Sequence, residues 1–167
     1  MNSSDKSIAV ERRVLRRMHL ATISCPPNQP GAGLFKQGNI LLLGEQASDP
    51  INDPDQKPFC STRACSGWLN WQMELHNLEE DHFFWLNVLN NDGSAIDLNA
   101  AVARLRPSAI VSLGNIARNA CVKSGITPVH FSHPQYWKRF RSKELYPLIP
   151  FLVEKTKNLH RSSLGLV

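Results

Sequence analysis

The chain has 167 residues, 42% apolar and 20% charged, which is the composition of a single globular domain with a buried hydrophobic core. No apolar run approaches the ~20 residues of a membrane-spanning helix, and the N-terminus lacks a signal-peptide core. We therefore expect one cytoplasmic domain that acts as a monomer. The four cysteines are irregularly spaced without a CxxC pair, a pattern that favours neither a zinc site nor a disulfide framework.

The net charge of +5 is unevenly distributed along the chain. Residues 1–100 hold 8 Lys and Arg against 12 Asp and Glu, a net charge of −4, whereas residues 101–167 hold 11 against 2, a net charge of +9. A half this basic indicates a polyanionic partner, of which nucleic acid is the commonest. Solubility alone would also account for it.

The N-terminal segment predicts an amphipathic helix over residues 5–19, followed by a loop rich in Pro and Gly over residues 24–38. The apolar positions at helical spacing are Ile8, Leu15 and Met18, and the arginines between them are Arg12, Arg13, Arg16 and Arg17. This basic face either contacts phosphates or is simply solvated.

The central segment predicts alternating strands and helices. The unbroken apolar run at residues 40–43 is typical of a strand buried on both faces of a sheet. Further strands are predicted at residues 82–89, 109–113 and 128–131, and helices at residues 64–78, 95–105, 116–124 and from about residue 136, with a break at Pro147 or Pro150. This order predicts an α/β fold, a three-layer α/β/α sandwich with a four-stranded parallel sheet. Residues 39–152 form its core, residues 1–38 the N-terminal helix and loop, and residues 153–167 a C-terminal tail.

Polar side chains lie at or just past the C-terminal ends of the predicted strands. Glu45 follows the first strand, Asn87 lies in the second, and His133 follows the fourth. Because the C-terminal ends of parallel strands share one edge of the sheet, we expect these groups to converge. Together a carboxylate, a carboxamide and an imidazole can orient a water, polarise a bond and hold an anionic leaving group. Each also has a structural interpretation: Glu45, for example, would serve equally to cap a helix or pair with an arginine.

A basic segment with interleaved aromatic residues follows His133. Its cations can hold phosphates, while its aromatic rings can stack on bases or wedge between them. It is the best candidate for contact with DNA. The residues proposed for this contact are Tyr136, Trp137, Lys138, Arg139 and Arg141.

These motifs together resemble those of the uracil-DNA glycosylase superfamily, most closely its small bacterial and archaeal branch. The resemblance spans roughly residues 39–152. The matching motifs are GEQAS at residues 44–48, KPF at 57–59, ACSG at 64–67, LNVL at 86–89, LRPSAIVSLGNIA at 105–117 and HPQ at 133–135.

The resemblance implies a monofunctional DNA glycosylase that hydrolyses the N-glycosidic bond of a flipped-out pyrimidine. In this interpretation Glu45 activates the attacking water or stabilises the sugar cation, and His133 steadies the departing base anion. Asp49 is the alternative carboxylate in the same turn. The implied base-binding residues are Gln46, Phe59 and Asn87, with Phe59 stacking on the base and Asn87 pairing with its edge. Tyr136 or Trp137 would fill the gap that the flipped nucleotide leaves.

The chain departs from the family pattern where Ala47 and Ser48 replace a Pro-Gly pair. Loss of the proline re-routes backbone near the base, and the long polar loop that follows offers hydrogen-bonding groups suited to a hydroxyl-rich substituent. The loop residues concerned are Asn52, Asp53, Asp55 and Gln56. We therefore predict a pocket for uracil or for a bulkier base, such as a hydroxymethylated or glucosylated pyrimidine of phage DNA. A purely solvated turn is the alternative.

The related branch binds an iron–sulfur cluster through four cysteines, but here only Cys25 precedes the first strand. We expect no cluster, no other metal and no cofactor. A non-catalytic DNA-binding module with the same fold is the main alternative to an enzyme. A nucleotide-binding enzyme is disfavoured, because the chain has no GxGxxG or other phosphate-binding loop.

Overall fold

A computed structural model describes residues 2–53 and 55–165 of the protein. Six helices, five strands and one 3₁₀ turn are found in this part of the chain. They are α1 (Ser3–Ser24), β1 (Ala32–Gly33), β2 (Gly38–Gly44), α2 (Ala64–Leu75), the 3₁₀ turn (Glu80–His82), β3 (Phe83–Asn87), α3 (Leu98–Leu105), β4 (Pro107–Leu113), α4 (Asn115–Lys123), β5 (Val129–Phe131), α5 (Pro134–Phe140) and α6 (Leu148–Ser163). None of these helices is both long and apolar enough to cross a lipid bilayer.

The sheet has five strands in the order β1-β3-β2-β4-β5. Strands β2 to β5 are parallel where they pair, whereas β1 runs antiparallel to β3. The predicted α/β class is confirmed, but the prediction of a four-stranded, fully parallel sheet is wrong. The added strand β1 is only two residues long, and Gly33 allows it to approach β3, since a Cβ there would lie 2.6 Å from the carbonyl oxygen of Phe83.

The central strand β2 separates two hydrophobic clusters. Ile40 and Leu42 pack on one face with residues of α2 and α6, while Leu41 and Leu43 pack on the other with residues of α3 and α4. Side chains alternate between the faces of a strand, so an unbroken apolar run is the pattern that a strand covered on both sides requires. The sheet is therefore enclosed by helices on both faces, and its polar positions are confined to the strand ends.

Helix α1 turns a different face to the core from the one predicted. Ile8, Leu15 and Met18 are exposed, Leu15 to 58%. The buried residues of the helix are Val10, Arg13, Val14, Arg17 and Leu20. The predicted apolar stripe is wrong, because its residues lie on the exposed side of the helix. Two of the four arginines point inward, where neither can contact a nucleic acid.

The two inward arginines of α1 converge on the buried carboxylate of Glu80. Arg17 donates from Nε to Oε2 over 3.0 Å and from Nη2 to Oε1 over 2.6 Å, and Arg13 donates from Nη1 to Oε1 over 2.8 Å. The indole N–H of Trp85 completes the set at 3.0 Å. Burial of charge is costly unless the charges are paired and hydrogen-bonded, and this network meets that condition.

The network also fixes the main chain at Phe59, just before α2. The carbonyl oxygen of Phe59 accepts hydrogen bonds from Nη1 of Arg17 at 2.5 Å and from Nδ2 of Asn70 at 3.0 Å. Phe59 has a φ of +52°, a conformation that residues other than glycine rarely adopt. The two buried donors therefore hold a strained backbone position in place.

Burial raises the pKa of Glu80, but the guanidiniums of Arg17 and Arg13 outweigh burial and hold the pKa below its ordinary value. The unfolded chain then binds more protons than the folded one at acid pH. The contribution of this network to stability is present above about pH 4.5, the ordinary glutamate value, and is lost as the pH falls further.

Replacing Arg17 by Met should lower the free energy of unfolding by about 3–5 kcal/mol, because it removes one partner from a buried ion pair. The matched control is Arg16→Met, whose 3.0 Å pair with Asp81 is half-exposed, and we expect about 0–1 kcal/mol there. Urea denaturation at neutral pH measures both values. Equal losses for the two variants would contradict the role given to Arg17.

Candidate active site

A cavity of about 270 Å³ opens at the C-terminal ends of the central strands. Its lining comes from the turn after β2, the loop before α2, the first turn of α2, the end of β3 and the residue before α5. It brings together five residues singled out from the sequence, namely Glu45, Gln46, Phe59, Asn87 and His133. The groups expected to converge therefore lie around one cavity.

Gly44 at the end of β2 makes room for two of these side chains. A Cβ at this position would lie 2.5 Å from Cε2 of Phe59 and 2.7 Å from Oδ1 of Asn87. Strand β3 ends at Asn87, directly beside Gly44 in the parallel register. Only a residue without a side chain allows the phenyl ring and the carboxamide to approach this strand end together.

The carboxamide of Asn87 has no hydrogen-bond partner among the described residues and remains accessible from the cavity. Asn87 is only 8% exposed, and its side chain makes no hydrogen bond to any of residues 2–53 and 55–165. The amides of largely buried side chains nearly always have a hydrogen-bond partner, either in the protein or in water. An unpartnered carboxamide in the wall of a cavity is therefore a group that a ligand can satisfy.

Phe59 supplies an aromatic surface whose position is fixed from behind. Its ring centroid lies 5.3 Å from that of Trp85 and 6.5 Å from that of His133. Its carbonyl is held by Arg17 and Asn70, as described above. A ring held in this way can stack on a planar ligand with little further loss of conformational freedom.

His133 caps the N-terminus of α5 through Nδ1 and leaves Nε2 available to a ligand in the cavity. Its Nδ1 accepts the backbone N–H of Gln135 at 3.1 Å, so the proton of the neutral imidazole resides on Nε2. Burial lowers the pKa of His133, and the nearby carboxylate of Glu45 only partly opposes this effect. His133 is therefore neutral at pH 7 and offers an N–H donor.

Gly114, at the end of β4, gives the imidazole its space. A Cβ there would lie 3.1 Å from Cβ and 3.2 Å from Cδ2 of His133. Gly114 also has a φ of +95°, which residues with side chains rarely adopt. Two strand-end glycines, at positions 44 and 114, thus admit the side chains around the cavity.

The two polar residues after β2 have different surroundings. The backbone oxygen of Glu45 accepts a hydrogen bond from the N–H of Leu89 at 2.9 Å. Its half-buried carboxylate lies close enough to His133 to interact electrostatically with the imidazole. Gln46 donates its side-chain N–H₂ to the carbonyls of Asn90 at 3.0 Å and Asn91 at 3.3 Å. Because that amide nitrogen is engaged, the carbonyl oxygen of Gln46 is the part that remains for a ligand.

Asp49 lies outside the lining of the cavity. Its exposed carboxylate accepts hydrogen bonds from Nδ2 of Asn52 at 3.1 Å and from the backbone N–H of the same residue at 3.4 Å. These bonds stabilise the turn at residues 49–52. Among the described residues that line the cavity, Glu45 supplies the carboxylate.

The basic segment after His133 forms α5 and the turn beyond it. Lys138 and Arg139 are exposed and make no ion pair with any described residue, whereas Arg141 pairs with Glu144 at 3.1 Å. Tyr136 is exposed on the same helix. Trp137, by contrast, packs against the buried ring of Tyr146 with centroids 5.6 Å apart. The structure thus turns Tyr136 outward and Trp137 into the core.

Ser66, which is not among the site residues predicted from the sequence, also lines the cavity. Its Oγ is the one buried side-chain polar atom in the described part of the chain that lacks a hydrogen-bond partner. Ser66 lies in the first turn of α2, next to Gly67, whose missing side chain lets the helix start against the carbonyl of Thr62. Small residues at a helix start are too common to signal a site, and the ACSG motif was the only indication.

The cysteines do not fit a metal centre. Burial raises the pKa values of Cys60 and Cys65, which keeps these thiols beside the cavity protonated, and it raises that of Cys121 to about 11. Cys121 packs on the face of the sheet that α3 and α4 cover, whereas Cys60 packs on the opposite face. Residues 2–53 and 55–165 contain no group of three His, Cys, Asp or Glu placed to hold a metal ion.

No protein-family model matches this sequence, and a search of curated proteins returned no match. We therefore infer a function from the residues themselves and from the way in which the fold assembles them.

The proton position on His133 gives a direct test of the site. We expect ¹⁵N NMR shifts of its imidazole to show the proton on Nε2 at pH 7.5 and a titration midpoint below 6.5, because burial disfavours the charged ring. Gln135→Pro removes the backbone donor to Nδ1 at a helix position that tolerates proline. It should raise the midpoint. A proton on Nδ1, or a midpoint above 6.5 in the parent protein, would contradict this assignment.

Proposed function

We propose that the protein is a DNA glycosylase that hydrolyses the N-glycosidic bond of a flipped-out damaged or modified pyrimidine and leaves an abasic site. The observation that carries the proposal is the cavity itself. In it a carboxylate, an unpartnered carboxamide, a neutral imidazole and a fixed aromatic ring surround one space, next to an exposed basic helix. Each of these groups has a distinct task in base excision.

The dimensions and lining of the cavity suit a single base. At about 270 Å³ it lies near the small end of ligand pockets, which run from roughly 300 to 1,000 Å³. The carboxamide of Asn87 carries both a donor and an acceptor, as does the edge of a pyrimidine, and the ring of Phe59 can stack on its face. Such contacts offset the few kcal/mol that extrusion of a nucleotide from the duplex costs.

The chemistry assigns one step to each polar group. Glu45 orients a water and accepts its proton as the water oxygen bonds to C1′ of the sugar. The bond between C1′ and the base nitrogen breaks, and its electron pair leaves with the base. Nε2–H of His133 donates a hydrogen bond to the oxygen on which this negative charge develops. A neutral imidazole, preorganised by its cap to α5, makes that bond without reorganising.

Helix α5 supports the proposed contact with DNA. Lys138 and Arg139 extend from the helix that begins beside the catalytic imidazole, and neither charge is neutralised by a described acidic residue. Tyr136 and Phe140 are exposed to 44% and 66%, with ring centroids 5.3 Å apart. We assign the phosphate contacts to the two cations and the filling of the gap in the duplex to Tyr136, with Phe140 beside it.

Release of free base from duplex DNA tests the catalytic assignment. Glu45→Gln and His133→Ala should each lower the single-turnover rate by about 10²–10³-fold, because each removes one preorganised group, while affinity for DNA changes little. The matched control is Asp49→Asn, which alters a carboxylate of the same turn outside the cavity and should retain nearly the parent rate. Normal rates in the first two variants would remove both residues from the mechanism. Tight binding without base release by the parent protein would favour the non-catalytic DNA-binding module.

The salt dependence of DNA affinity tests the interface. On duplex DNA each phosphate contact contributes about 0.9 to the slope of log K against log salt. The double variant Lys138→Ala with Arg139→Ala should lower this slope by about 1–2 if each cation holds one phosphate. As a control we choose Lys157→Ala with Arg161→Ala, which removes the same charge from exposed positions on α6. Equal slopes in the two double variants would place the interface elsewhere.

A further inference from the structure

Residues 98–143 contain eight lysines and arginines and no acidic residue, and this stretch includes every element from α3 to α5. The contact with DNA proposed above uses only α5, at one end of the stretch. Arg118 of α4 is also exposed and makes no ion pair with any described residue. We propose that Arg118 and His130 of β5 form a second site for a DNA phosphate, on the opposite face of the sheet from α5. The proposal rests on the function proposed above and concerns how the protein holds the DNA backbone.

The strand register places His130 on the face of the sheet that α4 covers. His130 lies beside Ser112 in the parallel pair of β4 and β5, and Ser112 lies beside Leu43 of β2. Residues paired across neighbouring strands point to the same face, and Leu43 packs in the cluster covered by α3 and α4. Arg118 is exposed on α4, one residue after the buried Ala117. The imidazole and the guanidinium therefore belong to one side of the sheet, and they lie close enough to interact electrostatically.

Gly114 connects this pair of residues to the cavity. Its N–H donates to the carbonyl oxygen of Phe131 at 2.9 Å, and its own carbonyl oxygen accepts the N–H of Arg118 at 3.1 Å. Arg118 thus lies four residues, or about 6 Å along the helix axis, from a glycine that touches the ring of His133. Helix α5 begins after His133, and its Trp137 packs in the cluster on the other face of the sheet. DNA that places a nucleotide in the cavity therefore has cations on both sides.

The imidazole of His130 has one nitrogen engaged and one available. Its Nδ1 shares a hydrogen bond of 3.0 Å with Oγ of Ser112, a side chain that is fully buried. Because a hydroxyl can donate or accept, this bond is compatible with the neutral ring and with the charged ring. In both states Nε2 can carry a proton. It can therefore donate a hydrogen bond to a phosphate oxygen, and the charged ring makes the stronger bond.

The surroundings of His130 couple phosphate binding to a proton. Burial and the charge of Arg118 both lower the pKa of His130 in the free protein. The neighbouring Ser112 of β4 is uncharged, α4 has no acidic residue, and α6 packs on the opposite face of β5, where Phe151 contacts Phe131. A phosphate between the two cationic groups favours the imidazolium and raises the pKa. Binding of DNA therefore takes up a proton, and the affinity gained from it is lost as the pH rises through the pKa of the complex.

The salt dependence of affinity for duplex DNA tests the contribution of Arg118. Arg118→Ala should lower the slope of log K against log salt by about 0.9, the contribution of one phosphate. The matched control is Arg12→Ala, which removes an exposed arginine of α1 and should leave the slope unchanged. Equal slopes in these two variants would overturn the second site.

The pH dependence of affinity at constant ionic strength tests His130. Between pH 8 and pH 5.5 the affinity of the parent protein should rise by about 3–10-fold more than that of His130→Gln, the effect of one hydrogen bond. Glutamine keeps a hydrogen-bonding side chain beside Ser112 but does not titrate. His19→Gln, at an exposed position of α1, should behave as the parent does. Because His133 is present in all three proteins, its own titration cancels in the comparison. The same pH dependence in the parent and in His130→Gln would contradict the proposal.

The same variants, measured on a duplex without a target pyrimidine and in an assay of base release, separate the second site from the proposed function. Phosphates occur in every sequence, so the effects on affinity should appear on this duplex as well. If they appear and no duplex releases a base, the second site stands and the glycosylase activity fails. If bases are released while the two variants bind as their controls do, the second site fails and the activity stands.

A titration of His130 by ¹⁵N NMR distinguishes DNA from a free anion. Duplex DNA should raise the midpoint of His130, and inorganic phosphate at the same total phosphate concentration should not, because it lacks the further contacts that hold the DNA backbone in place. An equal rise with inorganic phosphate would identify a site for small anions and overturn the assignment to DNA.

Discussion

The buried ion pair between Arg17 and Glu80 is the interaction on which the architecture of the site depends. It removes two charges from water, at a cost that their mutual attraction and the further hydrogen bonds from Arg13 and Trp85 must offset. In return it joins α1, α2 and the start of β3 and holds the carbonyl of Phe59. The N-terminal helix, which carries none of the proposed catalytic groups, thereby determines where the aromatic wall of the cavity lies.

The cavity is preorganised largely by the backbone at the strand ends. Gly44 leaves room for Phe59 and Asn87, which a Cβ at this position would displace, and Gly114 gives His133 space that a Cβ would make tight. His133 is oriented because it caps α5, and the same hydrogen bond fixes which ring nitrogen carries the proton. Electrostatic catalysis requires groups that are already in place before charge develops, and strand ends held by a packed sheet meet that requirement.

The sequence was most informative where a pattern had a single physical cause. An unbroken apolar run predicts a strand covered on both faces, and the meeting of parallel strand ends predicts the convergence of Glu45, Asn87 and His133. Strand β1 could not be predicted, because its two residues carry no pattern. The burial of Arg17 could not be predicted either, since an arginine in an amphipathic helix normally faces solvent and its partner Glu80 lies 63 residues away.

If the cavity hydrolyses an N-glycosidic bond, the products of a single turnover have a fixed stoichiometry that can be measured. Enzyme in excess over a duplex with one target pyrimidine is quenched at intervals, and free base and abasic sites are quantified by mass spectrometry. We expect one free base and one abasic site for each target pyrimidine consumed, with the DNA strands otherwise intact, as this hydrolysis requires. Bound DNA that retains every base across uracil and its 5-substituted derivatives would contradict it.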